Sequence, residues 1–165
     1  MQLEDFYDYK NRLMRDILSS EELVNLINDS VEFEDAKTLA YTQVFPFEYL
    51  PETAQEGLTY VCFDVDVQES YNKTFLAPVI YVWVFAHKSR LRLPEGGVRT
   101  DKICAKICEA INGSRYYGLG ELNLYAVKRF APMTDYPGKV MIFHAKEFNK
   151  QYVPNKPTPS NRKEW

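Results

Sequence analysis

The run Pro78-Val79-Ile80-Tyr81-Val82-Trp83-Val84-Phe85-Ala86 constrains this chain more than any other stretch. After its proline it holds only β-branched and aromatic residues and a closing alanine, and it is far shorter than the roughly 20 residues that cross a bilayer as a helix. Such a run reads as a central strand covered on both faces. Just before it, Val61, Phe63, Val65 and Val67 alternate with Cys62, Asp64, Asp66 and Gln68, the pattern of a strand with one buried and one polar face. The polar residues 69–75 between them predict a long hairpin.

Other elements follow from spacing and punctuation. Leu3, Phe6, Tyr7, Leu13, Met14, Ile17 and Leu18 recur every three or four residues, which predicts a first helix over 2–18. Ser19-Ser20-Glu21-Glu22 has capping-box spacing and opens a short second helix carrying Leu23, Val24, Leu26 and Ile27. Residues 31–58 are irregular, and Pro46 and Pro51 forbid a central strand there. The aromatics Phe45, Phe47 and Tyr49 predict an extended segment pinned to the domain. After a polar loop over 87–99, Thr100 or Asp101 caps a helix lined by Ile103, Ala105, Ile107, Ala110 and Ile111, which Asn112-Gly113 stops. Leu122, Leu124 and Ala126 alternate in a third strand, Asp135-Tyr136-Pro137-Gly138 reads as a turn, and Val140, Ile142 and His144 alternate with Met141, Phe143 and Ala145 in a fourth. Beyond Asn149 three prolines lie among Asn, Lys, Ser and Thr, the composition of a tail that builds no core.

The expected fold is therefore α+β: an antiparallel or mixed four-stranded sheet with helices packed on one face, in the order α-α-β-β-α-β-β. Residues 1–149 form one domain with a helical segment (1–30) and an irregular aromatic segment (31–58), and 150–165 form an extended Pro-rich tail. A chain of 165 residues suits one domain with one core. Its aromatic content is 15%, with 12 Tyr and 10 Phe, and tyrosine is favoured both in strands and at interfaces. A net charge of −3 argues against wrapping nucleic acid. Three cysteines, an odd number, fit a reducing cytosol, and the acidic start Met1-Gln2-Leu3-Glu4-Asp5 lacks the apolar stretch of a signal peptide.

Candidate chemistry is sparse. Asp64 and Asp66 share a strand face and could hold a cation, but alternate polar residues mark any half-exposed strand. Cys104 and Cys108 share a helix face; zinc would need two more ligands from His87, His144 and Cys62, and cysteines amid Ile and Ala are more often packing residues. His144, in phase with Val140 and Ile142, reads as a core or interface histidine. Gly118-Leu119-Gly120 precedes a strand, so it is no dinucleotide loop. The expectation is no catalytic residue, no cofactor and no metal. The stretch 88–102 stands out, with Lys88, Arg90, Arg92, Arg99 and Lys102 against Glu95 and Asp101. It is either a solvated loop or a contact with phosphate or with an acidic neighbouring subunit.

Arg99-Thr100-Asp101-Lys102-Ile103, the helix after it, Asn112-Gly113-Ser114, the pair Gly118/Gly120, the strand over 121–127, Tyr136-Pro137-Gly138-Lys139-Val140 and Phe148-Asn149 together resemble bacteriophage tail-terminator and tail-completion proteins of the head–tail neck. The resemblance is one of segment order over 59–149. It implies a two-strand hairpin, a helix and two further strands, in a subunit of a ring, often hexameric, that caps the tail tube and meets the head connector. It implies other neck and tail proteins as partners, assembly in the host cytoplasm and residence in the virion. It implies no enzyme activity, no membrane and no sequence-specific nucleic-acid binding, with the ring lumen as a passage for DNA. Expected subunit contacts are Arg90, Arg92 and Arg99 of the basic loop and Tyr152 and Trp165 of the tail, since long hairpins and Pro-rich tails reach onto neighbours. The rival is a small ligand-binding or enzymatic α+β domain, which would show a pocket with perturbed titratable groups.

Overall fold

The computed structural model describes residues 3–28, 35–51, 57–68 and 73–150. Its elements are α1 (Asp5–Leu18), α2 (Glu21–Ile27), β1 (Val44–Phe45), β2 (Thr59–Gln68), β3 (Phe75–Ala86), α3 (Arg99–Ile111), β4 (Asn123–Met133), β5 (Tyr136–His144) and β6 (Glu147–Phe148). The class is α+β, with six strands in place of the expected four. The sheet runs β1-β2-β3-β5-β4, and β6 pairs with the start of β3. Every pairing is antiparallel except β1 with β2.

The apolar run lies in β3, between β2 and β5, so its central place was readable from composition. All three helices lie over one face. Val61, Phe63 and Val65 of β2, Ile80, Val82 and Val84 of β3, and Met141 and Phe143 of β5 pack there against Leu13, Ile17, Leu23, Ile27, Ile103, Ile107 and Ile111. Two phenols fix α1 over this core: Tyr117 donates to Asp16 at 2.5 Å, and Tyr9 to Glu147 at 3.0 Å. Gln43, itself buried, donates its amide to the carbonyls of Ile27 and Thr59, tying the end of α2 to the start of β2.

The opposite face of β3 is only partly covered. Phe45, Tyr60, Cys62, Phe85 and Tyr136 form a second small core there, roofed by Tyr49, which stacks on Phe45 at 4.0 Å. The aromatics of the irregular segment do pin it to the sheet, and β1 ends before Pro46 because a proline cannot continue a ladder. Tyr81 and Trp83, further along the same face, stay half-exposed and stack on each other at 5.7 Å. The expectation that β3 is covered on both faces is thus corrected for half its length. Large aromatic residues serve a partly wet face as well as a dry one, which the run itself does not reveal.

Other local expectations are also corrected. Ser20 rather than Ser19 caps α2, accepting from the amide of Leu23; the Ser19 hydroxyl turns back to the carbonyl of Arg15 at the end of α1. α3 starts at Arg99 with Val98 as its cap, and Thr100 is buried inside it. Tyr136, Pro137 and Gly138 belong to β5, and the turn is Thr134-Asp135. Pro137 falls where the β4–β5 register is irregular, between Phe130 and Met133, so its missing donor interrupts no regular ladder. In β4 a register shift at Tyr125 breaks the simple alternation: Leu124 faces the helices, Ala126 pairs with Ile142 on the other face, and Val127 pairs with Met141 on the helix side.

Candidate functional site

The basic loop is folded onto its own chain. Lys88–Arg90 makes a short 3-10 turn, Arg92 bridges Val98, and Leu93 is buried at the bend. Arg99 donates through Nε to the carbonyl of Arg90 and through Nη1 to that of Leu26, so it clamps the loop and α2 together. Arg90 donates to the carbonyl of Gly57. Lys88 pairs with Asp135 at 2.6 Å and Lys102 with Glu95 at 2.8 Å. Arg92 is exposed and has no ion pair with a described residue. The structure therefore gives Arg90 and Arg99 structural work within the subunit. Tyr152 and Trp165 lie outside the described residues.

A cleft of about 590 Å³ opens between α2 and this loop, with Glu21, Glu22, Glu95, Arg99 and Lys102 among its lining residues. Lys102 holds the exposed Glu95 carboxyl below its usual range, which is the behaviour of a surface ion pair.

Cys62 and Cys104 are buried, and burial pushes both thiols up to about 12, away from the thiolate a nucleophile or metal ligand needs. Asp64 pairs with Lys10 at 2.6 Å and accepts from the amide of Val65, while Asp66 is exposed. Among the described residues no three His, Cys, Asp or Glu side chains gather as a cation site would require. His144 lies on the helix-free face, stacked on Tyr125 at 4.2 Å, not beside Met141 and Phe143 in the core.

What the fold does display is a partly exposed apolar sheet face between two sheet edges. The helix-free face carries rows of side chains across the sheet: Cys62, Trp83, Val140 and Lys128 in one, and Asp64, Tyr81, Ile142 and Ala126 in the next. Trp83, Tyr81, Val140, Ile142 and Phe130 are half-exposed, and Tyr125 is 70% exposed. Among the described residues β4 ends the strand order with no strand on its outer side, and β1 pairs with β2 at Val61 and Cys62. Lys128 and Arg129 are exposed mid-strand on β4, and Asp66 is exposed on β2. Charges in the middle of a strand are the usual mark of an edge. That signal was present in the sequence, but segment order alone does not say which strand ends the sheet. No described helix is long and apolar enough to cross a membrane.

Together these features define an α+β subunit with one helix-covered sheet face, one half-open aromatic face and two unlike edges. The chain belongs to the YomW family, whose sequence profile matches residues 18–145. No curated protein matches it.

Proposed function

We propose that this chain is a structural subunit of a bacteriophage neck, forming a ring that terminates the tail tube and joins it to the head connector. The observation that carries the reading is the helix-free sheet face, where Tyr81, Trp83, Phe130, Val140 and Ile142 lie together half-exposed. Aromatic surface of this kind, poor in charge at its centre, matches the middle of protein–protein interfaces. The family name, which suggests a Bacillus phage-derived protein, points the same way, as does the neck-like segment order over 59–149. In this reading the subunit assembles in the host cytoplasm, resides in the virion neck, meets other neck and tail proteins and does no chemistry.

Deleting the gene from a phage that carries it tests the proposal. Electron microscopy of the lysate should show heads and tails that fail to join, or tails of uncontrolled length, with intact particles restored when the gene is supplied in trans. Normal yields of complete virions from the deletion would overturn it.

A further inference from the structure

We propose that copies of this chain join edge to edge, the open edge of β4 in one copy pairing antiparallel with the open edge of β2 in the next, centred on Lys128 opposite Asp66. The inference rests on the ring reading and names the contact that would close the ring.

Among the described residues both edges lack a partner strand over short windows of similar length. On β4 the register shift at Tyr125 and the irregularity between Phe130 and Met133 leave residues 126–130 in regular pairing with β5 on one side and no strand on the other. On β2 the pairing of Val61 and Cys62 with β1 leaves 63–68 without a strand partner among the described residues, and a strand added there displaces the bond from the Val65 amide to the Asp64 carboxylate. A bulge at one end and Pro132 at the other restrict what can add to β4, so only a short strand fits.

The side chains select the register. A new strand must keep the faces in phase, because a slip of one residue turns every side chain over. Ala126, Lys128 and Phe130 lie on the helix-free face of β4, as Asp64, Asp66 and Gln68 do on β2. Setting Lys128 opposite Asp66 places Ala126 opposite Gln68 and Phe130 opposite Asp64. It also sets Val127, 46% exposed, against the half-buried Val67 on the helix side. A shift of two residues one way would carry Phe130 onto Cys62, which β1 already covers. A shift the other way would leave Lys128 without a carboxylate. No described residue forms an ion pair with Asp66, Lys128 or Arg129.

Strand direction agrees. β2 and β5 run one way, β3 and β4 the other. Copies related by rotation about an axis along the strands keep their directions, so β4 meets the next β2 antiparallel. The contact joins two unlike surfaces and leaves each free at the far end of the assembly, which is the geometry of a ring or filament and not of a two-fold dimer.

The test combines charge reversal with amide exchange on the full chain. Light scattering over a concentration series should show an oligomer for the parent. Lys128→Asp and Asp66→Lys should each raise the concentration for half-assembly at least tenfold, with unchanged circular dichroism. The double reversal, and an equimolar mixture of the two single variants, should restore assembly. Hydrogen exchange should show new protection at 126–130 and 63–68 in the oligomer. An oligomer indifferent to both reversals, or one lacking protection at these edges, overturns the edge contact and leaves the ring reading standing. A parent that stays monomeric at every concentration overturns both.

Discussion

Gly138→Ala should be the most damaging single-methyl change in this protein. Gly138 lies in β5 opposite Phe85 of β3 and Phe130 of β4. A Cβ built there falls 2.0 Å from the carbonyl oxygen of Val84, 2.6 Å from Cα of Phe85 and 2.7 Å from its Cβ. The first two are backbone atoms of the central strand, so no rotamer change relieves them; β3 and β5 must part by more than an ångström. Overpacking of a core costs about 1–3 kcal/mol, and a clash with backbone belongs at the top of that range. The lost flexibility of glycine in the unfolded chain returns about 0.4–1 kcal/mol, leaving a net of about 2–3 kcal/mol. For a domain of this size that is roughly 4–12 °C in melting temperature. Gly97→Ala is the control: its φ is 91°, but nothing lies within 4 Å of the added carbon. It should cost at most the left-handed strain of about 1–2 kcal/mol, less the same return from the unfolded chain. Thermal unfolding followed by circular dichroism compares the two. A Gly138→Ala melting temperature no lower than that of Gly97→Ala would refute the close-approach argument.

Val82→Asp should leave no cooperative unfolding transition, since it puts an unpaired carboxylate in the core, whereas Asp64→Ala, which removes a partly exposed pair with Lys10, should cost no more than about 1 kcal/mol; similar melting curves would contradict the strand's placement. Tyr117→Phe keeps the buried ring and loses the bond to Asp16, so denaturant titration should show a loss of about 1 kcal/mol. Cys108 should react with a thiol reagent in the native state while Cys62 and Cys104 react only on unfolding, a pattern read by mass spectrometry of labelled peptides. The two buried thiols stay protonated to about 12 in the fold but ionise near 8.5 when unfolded, so the unfolded state binds fewer protons in that window. Stability should therefore fall as pH rises above about 9, and a denaturation midpoint that stays flat from pH 8 to 11 would contradict it.

The parts of the fold that were legible are those fixed by local patterning. The composition of β3 announced its central position, and the alternation of Val61, Phe63 and Val65 assigned the helix-facing side of β2. The spacing of Leu13, Ile17, Ile103, Ile107 and Ile111 gave the helices their buried stripes. What escaped was set by tertiary pairing. Tyr136-Pro137-Gly138 has turn chemistry, yet Gly138 is a glycine because β3 passes too close for a side chain, a reason invisible without the neighbouring strand. β6 has two residues and exists only because Phe75 and Leu76 offer an edge to pair with. His144 looked in phase with buried neighbours because Val140 and Ile142 are apolar, although they line the half-open face.

The same distinction separates the basic loop from the sheet edges. The basic loop drew notice as a run of charge, but a charge is available to a partner only if the subunit does not already use it. Arg99 is held by two carbonyls, Lys88 and Lys102 by carboxylates. Lys128-Arg129 is a shorter and less conspicuous pair, yet it lies on a strand that ends the sheet. Backbone hydrogen bonds there would add to any charge attraction in the proposed contact. Asp66 has the same standing on β2, and nothing local sets it apart from Asp64, which Lys10 already occupies. Identifying a contact site in such a chain therefore depends on knowing which strands end the sheet and which charges the fold leaves unspent.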